Sequence, residues 1–388
     1  MTDPVPPALR APAETAQDPL RLGYVTYGDC HDPMIHSGVP FSLRRGMQQV
    51  HQAEVTEIST RPHRIERLGI KAVSLRPGRQ AWERQYLHGR LIARARSRRR
   101  DTLARAAGDL EALLHVRTWY TPIGTPYASF IDATVNMVRG YDPSWTLSDR
   151  QFQQEVAVEG EFYRRAAVMF SASHAGRDDL VQNYGVAPED VVIVGAGTTL
   201  PGIGELSEDF LAQRFAERTV LFVGKDPVRK GLPELIEGVR LARESVEGLS
   251  LRVVGPAEAE VPGDEPWVAR HGLVQDKATL SDLYASASML ALPAHRESYG
   301  LVIPEALSYG LPCLVSSTGE LPHLVEDGSF GAVLPEIAPE QIAQRLVAAF
   351  ADEAEYAKQS RRALERSRRH DWGTIARGMV AELTARTR

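Results

Sequence analysis

Glu297 and Glu305 stand with seven residues between them in the stretch Glu297-Ser-Tyr-Gly-Leu-Val-Ile-Pro-Glu305. An ionised carboxylate accepts two hydroxyl hydrogen bonds at once, which suits the vicinal diol of a ribose or a hexose. The spacing alone carries little, because a chain this rich in acids shows such pairs by chance. The surroundings carry more. Ser288 to Pro293 is a short apolar run of strand type, and Pro304 suits the first position of a helix, so the two acids bracket a strand-to-helix loop. In open parallel sheets such loops lie at the carboxyl ends of strands, where ligands bind, and Gly300 lets the backbone come close to one. The amides of a helix starting near Pro304 would suit a phosphate in the same loop.

A second chemical stretch is Gly224-Lys225-Asp-Pro-Val-Arg229-Lys230-Gly231, which follows the apolar run Thr219 to Val223 and opens a helix. Three cations between flanking glycines at a strand end suit a diphosphate, with lysine as a compact charge that meets phosphate oxygens from several directions. The glycine spacing is that of neither a Walker loop nor GxGxxG. The competing reading is a solvated helix start with ordinary surface lysines.

These stretches need elements to position them, and composition allows a soluble α/β protein. The chain has 388 residues, 43% hydrophobic and 24% charged, with 45 basic against 50 acidic side chains and a net charge of −5. That length holds two ordinary domains, and the charge balance argues against whole-protein nucleic-acid binding. Cys30 and Cys313 form neither a CxxC nor a disulfide framework, so both read as buried thiols of a reduced compartment. With no bilayer-length apolar run and no signal-peptide pattern, the sequence predicts a cytoplasmic protein.

Residues 1–19, rich in Pro and Ala, read as a disordered leader. Strand Leu22 to Tyr27, a loop through Ser37-Gly38-Val39-Pro40 and a helix over Phe41 to Val50 open a first domain. It continues through Leu113 to Val116, Ala128 to Ile131, a helix near Gln153 to Ala166, and Ala167 to Phe170. A second series runs strand Thr219 to Val223, helix Leu232 to Ala242, strand Leu249 to Val254, helix Leu280 to Ser286 and strand Ser288 to Leu292. After the acids come strand Pro312 to Ser316 and helix Pro339 to Asp352. The alternation predicts two parallel sheets covered on both faces. The expected domains are 20–200 and 201–370, followed by a terminal helix over 371–388.

Three blocks, FVGKDPVRKG, HGLV…LSDLYASASMLALPA and ESYGLVIPEALSYGLP, extend in order over roughly Thr219 to Leu334. Together they resemble the nucleotide-binding domain of the retaining GT-B glycosyltransferases of family 4. The first half resembles the family more loosely, through Ser37-Gly-Val-Pro40, Ile131-Asp132-Ala133 and Gly195-Ala-Gly197. The resemblance implies two Rossmann-like α/β/α domains facing a central cleft, with the C-terminal helix crossing back to the first domain. It implies that Glu297 contacts the donor sugar or its phosphate near the reacting centre and that Glu305 holds the ribose hydroxyls. It further implies that the amides of Gly300, Leu301 and Val302 face the donor, that Lys230 binds phosphate, and that Gly38 lies near the donor phosphates. The nucleotide base is expected against the backbone near Leu273 and Val274.

Two positions depart from the family pattern. Lys225 stands where an arginine is commonest, so a single-point contact replaces a bidentate one. Asp132 stands where many members carry a histidine. It either meets a sugar hydroxyl or the acceptor as a carboxylate, or it caps the following helix. The expected activity is metal-independent, retaining transfer from a nucleoside diphosphate sugar, UDP-linked by default, with no resident cofactor. The alternatives are a non-catalytic nucleotide-sugar binder or another enzyme on the same scaffold, such as a sugar-nucleotide epimerase.

The first half says less about the acceptor, which is a small molecule, a glycan or a lipid-linked sugar. His115 reads as a core histidine in a strand, with a cleft-facing role as the alternative, and His174 is open. Trp119 and Tyr120 either stack an acceptor sugar or pack. The basic run Arg90 to Arg100 is either a solvated helix or a peripheral contact with anionic lipid at the inner membrane face, with Leu91 and Ile92 as its apolar members.

Overall fold

A computed structural model describes residues 18–33, 35–75, 77–78, 82–83, 86, 89–117, 120–141 and 148–388. Most of the expected leader, and Trp119, lie outside the described residues. The chain divides into two units. One runs to Ala196 and takes in Trp372–Arg388, and the other is Gly197–Asp371.

The first unit holds strands β1 (Leu20–Thr26), β2 (Ala53–Ser59), β3 (Ala112–Val116), β4 (Tyr127–Ile131), β5 (Val168–Ser171) and β6 (Val191–Ile193) in one parallel sheet of order β2-β1-β3-β4-β5-β6. Its helices are α1 (Val39–Met47), α2 (Arg64–Val73), α3 (Arg90–Ala106), α4 (Val135–Tyr141), α5 (Asp149–Arg164) and α6 (His174–Tyr184). The second unit holds β7 (Thr219–Val223), β8 (Ser250–Val254), β9 (Val268–Gly272), β10 (Met289–Leu292), β11 (Cys313–Ser316) and β12 (Gly331–Leu334), in the order β12-β11-β10-β7-β8-β9. Its helices are α7 (Glu208–Glu217), α8 (Leu232–Ala242), α9 (Lys277–Ala285), α10 (Val302–Ser308), α11 (Leu321–Leu324), α12 (Pro339–Ala349) and α13 (Glu353–Ser367). The last helix, α14 (Trp372–Thr387), belongs to the first unit.

Both sheets are open and parallel, and each reverses its strand order once, between β1 and β3 and between β7 and β10. Crevices at the carboxyl ends of such reversing strands are where open α/β sheets bind ligands. The central strands are mostly apolar and buried, with polar exceptions such as His115 and Ser129, and they lie within a residue or two of where the sequence places them. The strands that the sequence reading passed over are β2, β6, β9 and β12. All four are sheet edges, and most of their side chains are half-exposed or exposed.

Three other expectations change. Pro304 is the third residue of α10 rather than the first, which a proline tolerates because first-turn amides lack an intrahelical acceptor in any case. The helix expected over Phe41 to Val50 starts at Val39 with Pro40 in its first turn. The basic run is not a uniformly solvated helix. Arg90, Arg94 and Arg98 of α3 are exposed, but Arg96 and Arg100 are buried, and so is Ile92. Arg100 donates to the carbonyl of Thr121 at 2.8 Å and pairs with Asp101. His115 is a core residue, as expected: it is wholly buried beside Tyr120, Tyr127 and Phe162, with Nδ1 3.3 Å from the carbonyl oxygen of Ala128. Burial and the Arg100 charge hold its imidazole well below the ordinary histidine range. Tyr120 is buried too, its hydroxyl 2.8 Å from Thr60 Oγ1, so it packs rather than stacks a ligand.

The C-terminal helix packs on α1, as the resemblance implied. A Cβ at Gly46 would stand 2.3 Å from the Trp372 carbonyl oxygen, so only glycine permits this approach. Trp372 also meets Phe130 edge-on at 6.0 Å, and Arg388 bonds both oxygens of Glu111 at 3.0 and 3.1 Å.

Candidate functional site

At the reversal in the second sheet, β7 ends at Val223 and β10 at Leu292, so the two chemical stretches leave neighbouring strand ends. Backbone contacts stitch them together. The His295 amide donates to the Arg229 carbonyl at 2.9 Å, and the Arg229 guanidinium donates to the Arg296 carbonyl at 2.6 Å. Gly231, at φ 72°, is so close to Pro293 that a Cβ would stand 2.0 Å from its carbonyl oxygen. The Lys230 side chain lies across Gly224, where a Cβ would meet its Cδ at 2.1 Å. Lys230 is thereby buried and aimed at Glu297, with Nζ 3.2 Å from Oε2, while an Arg229 nitrogen is 3.5 Å from the same oxygen. That oxygen is buried and accepts no hydrogen bond of proper geometry among the described residues. Lys225 points into solvent.

Glu305, one turn into α10, is buried and doubly held. Thr199 Oγ1 donates to Oε1 at 2.7 Å and the Tyr284 hydroxyl to Oε2 at 3.0 Å. Burial pushes its carboxyl above the usual range, against the pull of those two hydroxyls and of Lys277 and Lys230. Each oxygen keeps a second acceptor position. Gly300, at φ 93°, has Leu321 where a side chain would go, and Leu301 is the N-cap of α10, so Gly300, Leu301 and Val302 form the helix entrance. Leu273 and Val274 follow β9, Leu273 exposed and Val274 half-buried.

The first sheet has its own cluster at its reversal. A 3-10 turn, Ile35–Gly38, leads into α1, with Gly38 as a left-handed N-cap at φ 77°. Arg117 follows β3, Asp132 follows β4, and the two form an ion pair. The capping role considered for Asp132 falls to Thr134, whose Oγ1 accepts from the Met137 amide at 3.1 Å in the first turn of α4. His36 lies in the same cluster. Burial, then the charge of Arg117 and lastly that of Arg96, lower its pKa to about 4, against an opposing pull from Asp132. The Arg96 guanidinium stacks over Tyr27 at 3.9 Å. His36, Arg96 and Arg117 were not singled out from sequence. Their one visible signal is position, since each needed the sheet order to reach the others.

His174 is the half-buried first residue of α6. Asp29, Cys30 and His31 lie within ligand distance of one another. Glu57 beside them already accepts from His31 at 2.8 Å and pairs with Arg44, and burial, followed by the Glu57 charge, pushes the Cys30 thiol up to about 11. That donor set favours a protonated thiol, not a thiolate ligand. Cys313 is likewise a free buried thiol, pushed up by burial.

Comparison with known proteins bears most directly on the second unit. Residues 217–352, which include Lys225, Lys230, Glu297 and Glu305, match the sequence model described as "Glycosyl transferases group 1". The second unit is thus similar to the group 1 glycosyltransferases over about a third of the chain. Among similar curated proteins are D-inositol 3-phosphate glycosyltransferases of Segniliparus rotundus, 27% identical over 61% of this chain and 56% of that one, and of Xylanimonas cellulosilytica, 28% identical over 59% of each. The chain thus spans less than three fifths of the length of these relatives. Two solved structures share the fold. They are WaaG, a glycosyltransferase involved in lipopolysaccharide biosynthesis (TM-score 0.61, 16% identity, 92% of this chain and 98% of that one), and Anabaena HepE in complex with UDP and glucose (TM-score 0.61, 16%, 94% and 100%). The fold is that of the GT-B glycosyltransferases.

Proposed function

We propose that this chain is a retaining glycosyltransferase that moves a sugar from a nucleoside diphosphate sugar, UDP-linked by default, to an acceptor hydroxyl without a metal ion. The observation that carries this reading is the buried Lys230–Glu297 pair at the reversal of the second sheet, Nζ to Oε2 3.2 Å, within the stretch that matches the group 1 glycosyltransferase model. A departing diphosphate needs charge neutralised where it forms. Lys230, held in place across Gly224, and Arg229 supply fixed positive charge there, with no reorganisation at the moment of reaction. Glu297 holds the lysine ahead of binding and is placed to act on the donor sugar or its phosphate. Glu305 takes the ribose hydroxyls on the acceptor positions that Thr199 and Tyr284 leave open. The leaving phosphate oxygen takes the acceptor proton, so transfer needs no separate protein base.

The acceptor falls to the first unit, where Arg96, Arg117 and the start of α1 gather positive charge around His36. That chemistry fits an acceptor carrying a phosphate, and the curated relatives are named for D-inositol 3-phosphate. Thermal-shift screening against UDP, GDP, ADP and their sugars tests the donor half, with one base expected to raise the melting temperature by several degrees. Incubation with the matching labelled sugar then separates enzyme from sensor. Transfer or slow donor hydrolysis supports the proposal, tight binding without turnover makes the chain a binder, and no response to any base removes the donor site.

A further inference from the structure

The large apolar side chains that the described fold leaves exposed are concentrated in one place. Ile65 (85% exposed), Leu68 (57%), Val73 (66%) and Leu75 (63%) lie in or just after α2, and Leu91 (48%) is in the first turn of α3. Elsewhere only Val228 and Leu273 are comparable among the described residues. Ile65, Leu68, Ala72 and Leu75 recur at intervals of three and four, so they form one stripe along α2 that continues past its end. Ile70 points the opposite way, into a small core with Ile92 and Ala95. A helix that only covered the sheet would bury its apolar stripe, and α2 turns most of its stripe to solvent.

The border of the stripe is basic and aromatic. Arg64 and Lys71 lie beside it, and Lys71 Nζ stands 4.8 Å from the Tyr86 ring centroid and 5.9 Å from that of Trp82. Trp82 Nε1 donates to the Lys71 carbonyl at 2.9 Å. On α3, which packs against α2, Arg90, Arg94 and Arg98 repeat every four residues and are all exposed. Glu66 is the exposed acid within α2. An outward apolar stripe, a Trp and a Tyr at its margin, and a row of arginines make up the composition of a surface that sits in a lipid interface. A second copy of this chain is a poorer occupant, because a two-fold pairing would set the arginine row against itself.

We propose that α2 and α3 form a docking surface for a bilayer containing anionic lipid. The apolar contribution comes from α2, not from the basic run, whose Ile92 is buried. The surface stands independently of the nucleotide-sugar reading.

The test is co-sedimentation of the full chain with vesicles of phosphatidylcholine alone and with about one third phosphatidylglycerol, at low and high salt. Binding is expected to the mixed vesicles at low salt. It should weaken about a hundredfold in Arg90→Gln/Arg94→Gln/Arg98→Gln, at about 1 kcal/mol per basic side chain. A loss of about tenfold or more is expected in Ile65→Ser/Leu68→Ser. Because the five side chains are exposed, all variants should keep the parent melting temperature and its response to nucleotide, and the latter reports the donor site separately. Failure of the parent to bind the mixed vesicles at low salt would overturn the proposal. So would parent-like binding by either variant, or a concentration-dependent dimer in the analytical ultracentrifuge that Ile65→Ser/Leu68→Ser abolishes.

Discussion

The two sheets reverse at equivalent places and furnish them differently. At the β7–β10 reversal the left-handed backbone positions are glycines, Gly231 at φ 72° and Gly300 at φ 93°. At the β1–β3 reversal two of them carry side chains, His36 at φ 48° and Arg117 at φ 66°. A left-handed residue other than glycine costs about 1–2 kcal/mol, so the first reversal sustains a strain that the second reversal avoids. What it gains is side chains where the second unit presents backbone. A diphosphate is common to many donors and can be held by backbone amides and fixed cations, whereas an individual acceptor needs side chains shaped to it. The contrast gives the second reversal the constant, donor-binding role in the proposed function and the first the selective, acceptor-binding role.

The strongest way to break this comparison is at Lys230 and Glu297. Lys230→Ala should lower turnover about 10³-fold, the scale of losing one preorganised electrostatic contact to developing charge, and should weaken UDP binding as well. Glu297→Gln should lower turnover by a comparable factor while UDP affinity, read by calorimetry, stays measurable. Equal loss of both in Glu297→Gln would make that residue part of nucleotide binding alone. In the first unit, Arg117→Gly removes the guanidinium and keeps the left-handed backbone comfortable. The expected result is a rise of about tenfold to a hundredfold in KM for the acceptor, the size of one charge-assisted hydrogen bond, with donor hydrolysis unchanged. A parallel fall in donor hydrolysis would merge the two halves that the comparison separates.

The same contrast explains what could be read from the sequence. Glycines, lysines and acids at the second reversal lie in two short stretches, each after an apolar strand, so local pattern located Lys230, Glu297, Gly300 and Glu305. The groups at the first reversal come from four separate segments: His36 before α1, Arg96 inside α3, Arg117 after β3 and Asp132 after β4. Asp132 was reached only through the family resemblance, the other three have no local signature, and an arginine inside a basic run looks solvated until the sheet order buries it. The hydroxyls of Thr199 and Tyr284 on Glu305 were hidden for the same reason, being 106 and 21 residues from their partner. The central strands were legible because burial on both faces makes them predominantly apolar. The edge strands β2 and β9 are partly polar and half-exposed, and β12 is apolar but only four residues long, so none shows a continuous buried run.

Glu305 offers a smaller effect with two opposed readouts. Burial raises its carboxyl pKa, so its ionisation favours the unfolded chain once the pH passes above the ordinary value and towards the folded one. Glu305→Gln removes that burden. At pH 8 the variant should melt a few degrees higher than the parent, and its affinity for UDP should drop about tenfold as one charged acceptor of the ribose hydroxyls is lost. A variant that melts lower would mean that the bonds from Thr199 and Tyr284 outweigh the cost of burying the charge.

The smallest effect belongs to His36, and it tests whether the first reversal is as positive as its arginines suggest. The folded-state pKa of about 4 lies below the ordinary value of 6.5, so between those limits the unfolded chain binds the extra proton. Stability should therefore be fully present above pH 6.5 and decline as the pH falls towards 4. His36→Gln should flatten this part of the stability profile, measured by urea unfolding at a series of pH values, and leave the plateau above pH 7 nearly unchanged. Arg117→Gly removes one of the two charges that depress the pKa, so in that variant the His36 resonance, followed by NMR, should titrate at a higher pH than in the parent. If it titrates where the parent does, desolvation alone sets the imidazole, and the positive field proposed to hold a phosphorylated acceptor does not extend to His36.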